Sequence, residues 1–207
     1  MKPLTVEEER RLVQRLKRKD ERAFTLLVKT YQTPVFNIAL RMMGGARDDA
    51  LDVSQEIFVT IFRAISGFRG DSKLSTWIYR IAVNHCRNRI KYLARRKQKL
   101  HQQWEERTET VNDERLTAYQ SPLPPPDAMF EGLEAQRFLQ STLQSLEADQ
   151  REVIILRDIQ GMSYEAIVNI TGHRLGTVKS RLHRGRAALA TSYAEWKAGK
   201  SHEEKAS

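Results

Sequence analysis

Three cations, two amides and one indole recur along one side of a predicted helix between residues 75 and 91. Their spacings of three, four and seven residues place them on one helix face, formed by Trp77, Arg80, Asn84, Arg87, Asn88 and Lys91. Cations neutralise phosphates, an aromatic ring stacks on an unpaired base, and amides hydrogen-bond to base edges. This pattern therefore suits nucleic acid with an unstacked base. The alternative is an ordinary amphipathic helix with a solvated basic side and a half-buried Trp77.

A second cluster of cations and hydroxyls lies at the start of a predicted helix near the C-terminus. It comprises Thr177, Lys179, Ser180, Arg181, His183, Arg184 and Arg186. Ser163 is expected to cap the preceding helix and Gly172 to end it, so a short turn joins the two helices. This is the helix-turn-helix pattern, in which the second helix reads base edges in the major groove. His183 has an alternative as a plain surface histidine, and a metal site lacks nearby Cys or His partners.

A third face is acidic and lies on a helix predicted from about residue 47 to 65. Its outward residues are Asp52, Gln55, Glu56, Val59 and Arg63, and its inward residues are Val53, Ile57, Phe58, Ile61 and Phe62. An acidic face with one exposed aliphatic residue in a basic domain suggests docking on a protein. The alternative is a solvated helix side with mixed charges.

The remaining elements position these faces. Thr5 and Glu8 have the spacing of a capping box, and Asp20 is expected to cap a second helix in which Pro34 introduces a kink or a break. A polar loop with Gly70 precedes the Trp77 helix, for which Ser75 is the candidate cap. The inward side of that helix is Ile78, Tyr79, Ala82, Val83, Cys86 and Ile90, which makes the single cysteine a core residue.

Charge is distributed unevenly along the 207 residues. Residues 1–100 contain 22 Lys and Arg against 10 Asp and Glu, whereas residues 101–133 contain 2 against 7. The net charge of +9 predicts a polyanionic partner. An N-terminus of MKPLTVEEERR has no signal-peptide apolar stretch, no run of 18 apolar residues occurs, and one cysteine suits a reducing compartment. We therefore expect a cytoplasmic protein without stable membrane insertion.

The fold class predicted is all-α, with two small helical domains joined by a flexible acidic, proline-rich linker. We place the first domain at 1–100, the linker at 101–130, the helix-turn-helix domain at 131–195 and a tail at 196–207. The linker is expected to be either an inert tether or a strand-like segment in a basic groove. We find no phosphate-binding glycine loop, no metal-ligand cluster and no activated nucleophile, so we expect neither an enzyme nor a cofactor.

Two sequence blocks carry a resemblance to a known family. They are DVSQEIFVTIFRAISGFRGDSKLSTWIYRIAVNHCRN and REVIILRDIQGMSYEAIVNITGHRLGTVKSRLHRGRAAL. Their order and spacing resemble those of the extracytoplasmic-function, or group 4, sigma factors of the sigma-70 family. That resemblance implies a factor that directs core RNA polymerase to promoters, opens the minus-ten element with the first domain and recognises the minus-thirty-five element with the second. It also implies a linker that threads toward the RNA exit channel, and an anti-sigma factor as a regulatory partner.

The same resemblance assigns roles by position. The face with Asp52, Gln55, Glu56 and Val59, beside which we place Arg63, corresponds to the surface that docks on the clamp helices of the largest polymerase subunit. Residues matching the part that captures a non-template base are Arg69, Asp71, Ser72, Lys73, Trp77, Tyr79, Arg80 and Asn84. Major-groove readers match Lys179, Ser180, His183 and Arg184.

Three departures from the family pattern affect which promoter is recognised. Leu74 stands where many relatives have an aromatic residue, Val168 where they have alanine, and Arg174 where they often have proline. One alternative function is a stand-alone helix-turn-helix regulator of duplex DNA, which would not need Trp77 beside a loop. A recombinase is the second, but the sequence lacks paired carboxylates or an activated serine.

Overall fold

The computed structural model describes residues 5–105 and 127–206, with side chains over 5–99 and 134–198. Throughout these ranges the regular elements are helices, so the predicted all-α class is confirmed. The helices are α1 (Val6–Lys17), α2 (Glu21–Met42), α3 (Arg47–Ala64), α4 (Leu74–Glu105), α5 (Asp127–Ser145), α6 (Ala148–Ile154), α7 (Tyr164–Thr171) and α8 (Leu175–Ala206). Within the described residues, no helix combines the length and the apolar character needed to cross a membrane.

The predicted caps of the first two helices are confirmed. In the capping box, Thr5 N–H donates to Glu8 Oε2 at 2.7 Å and Glu8 N–H donates to Thr5 Oγ1 at 3.2 Å. Asp20 Oδ1 accepts from Ala23 N–H at 3.1 Å and so begins α2. Pro34 lies inside α2 without dividing it. Most of the acidic linker lies outside the described residues.

The long helix α4 is central to the N-terminal unit, and its predicted core face is confirmed. Ile78, Ala82, Val83 and Cys86 are fully buried, and burial raises the pKa of the Cys86 thiol to about 12. The expectation that Ser75 caps α4 is wrong, because the helix already begins at Leu74. Its first turn is closed by Trp77 N–H, which donates to the carbonyl of Lys73 at 3.1 Å.

The inward face predicted for α3 is correct except at its C-terminal end. Val53, Ile57 and Ile61 are buried, but Phe62 is 40% exposed. Its ring packs edge-on against Phe24 with centroids 5.0 Å apart, and the Lys19 ammonium lies 4.2 Å from its centroid. Phe62 therefore contributes to a surface cluster beside α1 and α2 instead of to the core.

The helix-turn-helix of the C-terminal unit forms as predicted. Ser163 Oγ accepts from Ala166 N–H at 3.2 Å, and Gly172 ends α7 with a φ of +74°. Val178 and Leu182 of α8 are buried under α6 and α7. Between α6 and α7, residues Ile155–Ile159 form a short π-helical turn that the sequence pattern does not reveal.

The two units contact each other through the packing of α4 against α7 and through helix ends. Gln140 Nε2 and Gln144 Nε2 of α5 both donate to the carbonyl of Arg41 near the end of α2, at 3.3 and 3.2 Å. Gly44 lies against Gln144, where an added Cβ would be 3.2 Å from Oε1. Carbonyls in the last turn of a helix lack partners inside it. The α5 amides therefore satisfy α2 from the other unit.

A buried ion pair lies in the same contact. Arg87 of α4 donates from Nε to Glu152 Oε2 at 2.7 Å and from Nη2 to Oε1 at 2.6 Å. The side chain of Glu152 is 3% exposed and that of Arg87 is 29% exposed. Burial raises the pKa of Glu152, and the neighbouring guanidinium opposes that rise. Removing either partner would therefore leave the other charge buried without compensation, which destabilises the folded protein.

Replacing Arg87 by alanine is expected to destabilise the protein by about 3–5 kcal/mol at pH 8, because a buried carboxylate loses its partner. The pKa of Glu152 then rises further. A carboxyl whose pKa is higher in the folded state stabilises that state when protonated, so the defect should shrink as the pH falls through the raised pKa. Urea unfolding at several pH values and carboxyl NMR titration measure both effects.

The control variant is Arg89→Ala, which removes a more accessible ion pair with Asp49 and should lower the free energy of unfolding by less than about 1 kcal/mol. Equal, pH-independent losses in both variants would contradict this.

Close packing between α8 and α6 at Gly185 gives a second prediction. A Cβ at Gly185 would lie 3.0 Å from Cγ1 of Ile154, a buried side chain. Gly185→Val should lower the free energy of unfolding by about 1–3 kcal/mol through overpacking. Gly176→Val is the matched control, because a Cβ there meets no atom within 4 Å. Its effect should stay within about 0.5 kcal/mol in the same urea experiment.

Candidate nucleic-acid interface

The predicted basic face of α4 is present on one side of the helix. Asn84, Asn88 and Lys91 are exposed, whereas Trp77 is half-buried with its ring centroid 5.3 Å from that of Phe68. Arg80 is half-buried, and its Nε has no hydrogen-bond partner among the described residues. That Nε is itself buried, so only the rest of the half-buried guanidinium can reach a phosphate, beside Trp77 and the exposed amides of Asn84 and Asn88.

The predicted base-capture residues divide into two groups around the start of α4. Arg69, Ser72, Lys73 and Tyr79 line a cleft of about 1120 Å³ between α1, α2 and the loop, while Trp77, Arg80 and Asn84 do not line it. Asp71 is an exposed loop residue outside the cleft lining. The loop therefore lies between two surfaces of different character. The family resemblance had grouped these residues as one base-capture site.

The cleft is cationic and aromatic. Among its lining residues five are basic, namely Arg10, Lys17, Lys29, Arg69 and Lys73. Tyr79 and Tyr31 meet edge-on at its base, with centroids 6.1 Å apart, and burial raises the pKa of both phenols. Of the cleft-lining residues described, Glu9 alone is acidic.

Glu9 is a functional candidate that the sequence analysis missed. Its Oε1 accepts from the backbone N–H of Leu74 at 2.7 Å, across 65 positions of sequence. Leu74, where relatives often have an aromatic residue, is fully buried as the first residue of α4 and offers no surface for stacking. The available signal was an acid in line with Leu12, Val13 and Leu16, the apolar stripe of α1.

The acidic face of α3 is exposed and is supported from behind by α4. Asp52, Gln55, Glu56, Val59 and Arg63 are all exposed, with Val59 47% accessible. Behind them, Arg89 Nη2 of α4 lies 3.0 Å from Asp49 and 3.8 Å from Asp52. His85 Nε2 lies 3.0 Å from Thr60 Oγ1, and its Nδ1 lies 3.8 Å from Glu56. Arg89 of α4 is thus hydrogen-bonded to Asp49, whereas the exposed carboxylates of Asp52 and Glu56 lie near α4 at longer distances.

The recognition face of α8 combines free and internally paired cations. Lys179, Ser180, His183 and Arg184 are exposed, whereas Thr177 is half-buried. Arg181 pairs with Asp149, and Arg186 Nε donates to Asp158 Oδ2 at 3.0 Å. The four exposed side chains are therefore the part of the predicted set that is accessible and not used in an ion pair among the described residues. The two paired arginines attach α8 to the helices behind it.

Comparison with known proteins agrees with this arrangement. The family model for sigma-70 region 2 matches residues 27–96, and the model for sigma-70 region 4 matches residues 138–189. The first range contains the acidic face, the loop and the whole basic face of α4. The second contains the helix-turn-helix.

Similar curated proteins cover nearly the whole chain. The RNA polymerase sigma-H factor of Pseudomonas aeruginosa is 37% identical over 186 residues, which is 90% of this chain and 94% of the relative. The ECF RNA polymerase sigma-E factor of Escherichia coli K12 is 37% identical over 178 residues, covering 86% and 90%. A solved structure of CnrH in complex with the cytosolic domain of CnrY matches with a TM-score of 0.64 and 26% identity, covering 90% of this chain and 97% of that one.

The resemblance expected from the two sequence blocks is confirmed by these matches. Identity of 37% extends across both helical units in relatives of nearly the same length. The order of the two regions is also that of the family models. The chain belongs to the extracytoplasmic-function sigma factors of the sigma-70 family.

Proposed function

We propose that this protein is a transcription initiation factor that directs core RNA polymerase to specific promoters and helps to open their minus-ten region. The observation that carries the proposal is family membership over both units, since relatives named as RNA polymerase sigma factors match at 37% identity along most of the chain. The described surfaces suit the two tasks of holding a protein and holding DNA.

The acidic face of α3 is the proposed contact with the clamp helices of the largest polymerase subunit. It presents two carboxylates, Asp52 and Glu56, around the exposed aliphatic Val59. An interface of this kind obtains its affinity from the apolar contact and its selectivity from charge complementarity. Arg89 and His85 lie 3.8 Å from Asp52 and Glu56, a distance at which exposed charges interact weakly and leave the carboxylates available to a partner.

The N-terminal end of α4 is the proposed site of DNA opening. Unstacking a base step costs about a few kcal/mol, which new contacts to the freed strand must offset. Trp77 supplies a stacking surface, Arg80 a half-buried cation, and Asn84 an exposed amide. Arg69 and Lys73 in the loop, with Asn88 and Lys91 further along, extend the positive path for the strand.

The exposed residues of α8 are the proposed readers of the minus-thirty-five element. Lys179, Ser180, His183 and Arg184 lie in the first turns of the second helix of the helix-turn-helix, where base edges are reached. The promoter opening is non-catalytic in this proposal, and RNA synthesis belongs to the core enzyme. In this proposal the protein is a specificity subunit of the polymerase and acts in the cytoplasm.

A protein regulator is a further proposed partner. CnrH, a similar protein in fold and sequence, was solved with the cytosolic domain of CnrY bound. By analogy we propose that an anti-sigma factor binds this chain and prevents its use by polymerase.

The proposed function is tested by co-purification with core RNA polymerase followed by run-off transcription on a library of promoter sequences. We expect a stable complex and enrichment of one two-part promoter motif. Binding to duplex DNA without polymerase, and no transcripts, would contradict the proposal and favour a stand-alone regulator.

Reversing the charge of the α3 face should release the factor from polymerase. In Asp52→Lys/Glu56→Lys, two attractive contacts become repulsive, so we expect at least a tenfold weaker complex, about 1.4 kcal/mol or more. Pull-down titration with core enzyme measures this loss. Glu7→Lys/Glu21→Lys makes the same charge change on exposed positions of α1 and α2 and should bind normally.

Removing the stacking ring and the amide of α4 should separate binding from opening. Trp77→Ala/Asn84→Ala is expected to keep its affinity for core polymerase, because neither residue lies on the α3 face. Stacking on an aromatic residue contributes about 1–3 kcal/mol per base, so permanganate reactivity of the melted region should be largely lost. Normal reactivity in this variant would refute the assignment of the opening site.

A further inference from the structure

The start of α4 presents a problem that its own sequence does not solve. Leu74, the first residue of the helix, is fully buried, so its N–H cannot be satisfied by solvent. The preceding residue is Lys73, whose side chain donates hydrogen bonds and cannot accept one. A local N-cap is therefore absent at the helix that carries the proposed opening site.

A carboxylate from α1 provides the missing cap. Oε1 of Glu9 accepts from Leu74 N–H at 2.7 Å, and negative charge at this position also favours the helix dipole. Glu9 is half-buried although Glu7, Glu8 and Arg10 around it are exposed. Helix α1 is itself fixed by Leu12 and Leu16, which are 4% and 2% exposed.

The contact fixes the segment where the loop becomes the helix. On one side of Leu74, Lys73 and the loop line the cleft; on the other, Trp77 packs against Phe68 and its N–H donates to the carbonyl of Lys73. Without the cap, Leu74 would lose the partner of its buried N–H, and the first turn of α4 would fray. The loop that ends at Lys73 and the ring of Trp77, which are both proposed to contact DNA, would then no longer be held at a fixed distance from each other.

We propose that Glu9 is a positioning residue for promoter opening, which it serves by capping α4 and holding the capture loop and Trp77 in register. This inference rests on the proposed function. A competing role is direct contact with a base, since a carboxylate can accept from the amino group of cytosine and Glu9 lines the cleft. The two roles differ in what happens to the Leu74 amide when DNA is absent.

The test uses the full-length protein in three variants. Glu9→Ala removes the acceptor, Glu9→Gln keeps an acceptor oxygen at the same reach, and Glu7→Ala is the matched control. Glu7 is an exposed acid in the same helix that pairs with Arg11 at 3.4 Å. Exchange of the Leu74 amide is followed by NMR in the free protein. Opening is followed by permanganate reactivity with core polymerase, on a promoter selected with the wild-type protein.

In Glu9→Ala we expect the Leu74 amide to exchange about tenfold faster than in the wild-type protein. We expect the promoter to open about tenfold more slowly. Glu9→Gln should lie between Glu9→Ala and wild type, because it retains a neutral hydrogen bond, and Glu7→Ala should match wild type. Binding to core polymerase should be unchanged in all three.

Opening at the wild-type rate in Glu9→Ala would overturn the inference. So would slower opening with a Leu74 amide that remains protected, which would assign Glu9 to DNA contact. If Glu9→Ala does not fold, Glu9→Gln decides: loss of opening without faster amide exchange would overturn the positioning role, and partial loss with faster exchange would support it. A wild-type protein that opens no promoter from the library would instead count against the proposed function.

Discussion

Unpaired backbone groups at helix ends must find partners, and in this protein side chains of other helices supply several of them. Glu9 of α1 caps the start of α4. Gln140 and Gln144 of α5 satisfy the end of α2, and Arg151 of α6 donates to the carbonyls of Leu143, Gln144 and Leu146 that end α5. Each interaction joins elements that hydrophobic packing alone would leave free to slide. Helix ends thereby set the relative positions of the surfaces.

The helix α4 links two surfaces with different proposed partners. One side carries Trp77, Arg80 and Asn84, while another side presents His85 and Arg89 to the carboxylates of α3. These groups are within a few turns of one continuous helix. A shift of α4 along its axis would therefore alter the side chains of both proposed surfaces. Rigidity of this helix is a requirement shared by both tasks.

Local patterns in the sequence were sufficient for much of the fold. The capping box at Thr5, the cap at Asp20, the stop at Gly172 and the apolar face around Val83 depend on residues within one or two turns, so spacing reveals them. Phe62 was misplaced because helical periodicity does not show which neighbours cover the end of a face.

Contacts between distant segments could not be read in the same way. The partners of Leu74 and Arg87 lie 65 positions away in each case, and no local rule connects them. Helical spacing had placed Tyr79 and Trp77 on different sides of the helix, but only packing shows that α1 and α2 form a cleft with the loop beside Tyr79. The sequence does show Glu9 in line with the apolar stripe of α1 and Arg87 on the basic face of α4. It does not show that Leu74 and Glu152 are the residues they contact.

Arg87 has a consequence for how affinity is distributed in this molecule. Nε and Nη2 of the Arg87 guanidinium both donate to the Glu152 carboxylate, which neutralises its charge, so a phosphate at Arg87 would compete with Glu152 for the same cation. If DNA binds at Arg87 as its position on α4 suggests, that contact and the contact between the two units are thermodynamically linked. Linkage is reciprocal. A ligand that favours the Arg87–Glu152 pair lowers the affinity of the protein for DNA, and bound DNA lowers the affinity for that ligand by the same factor.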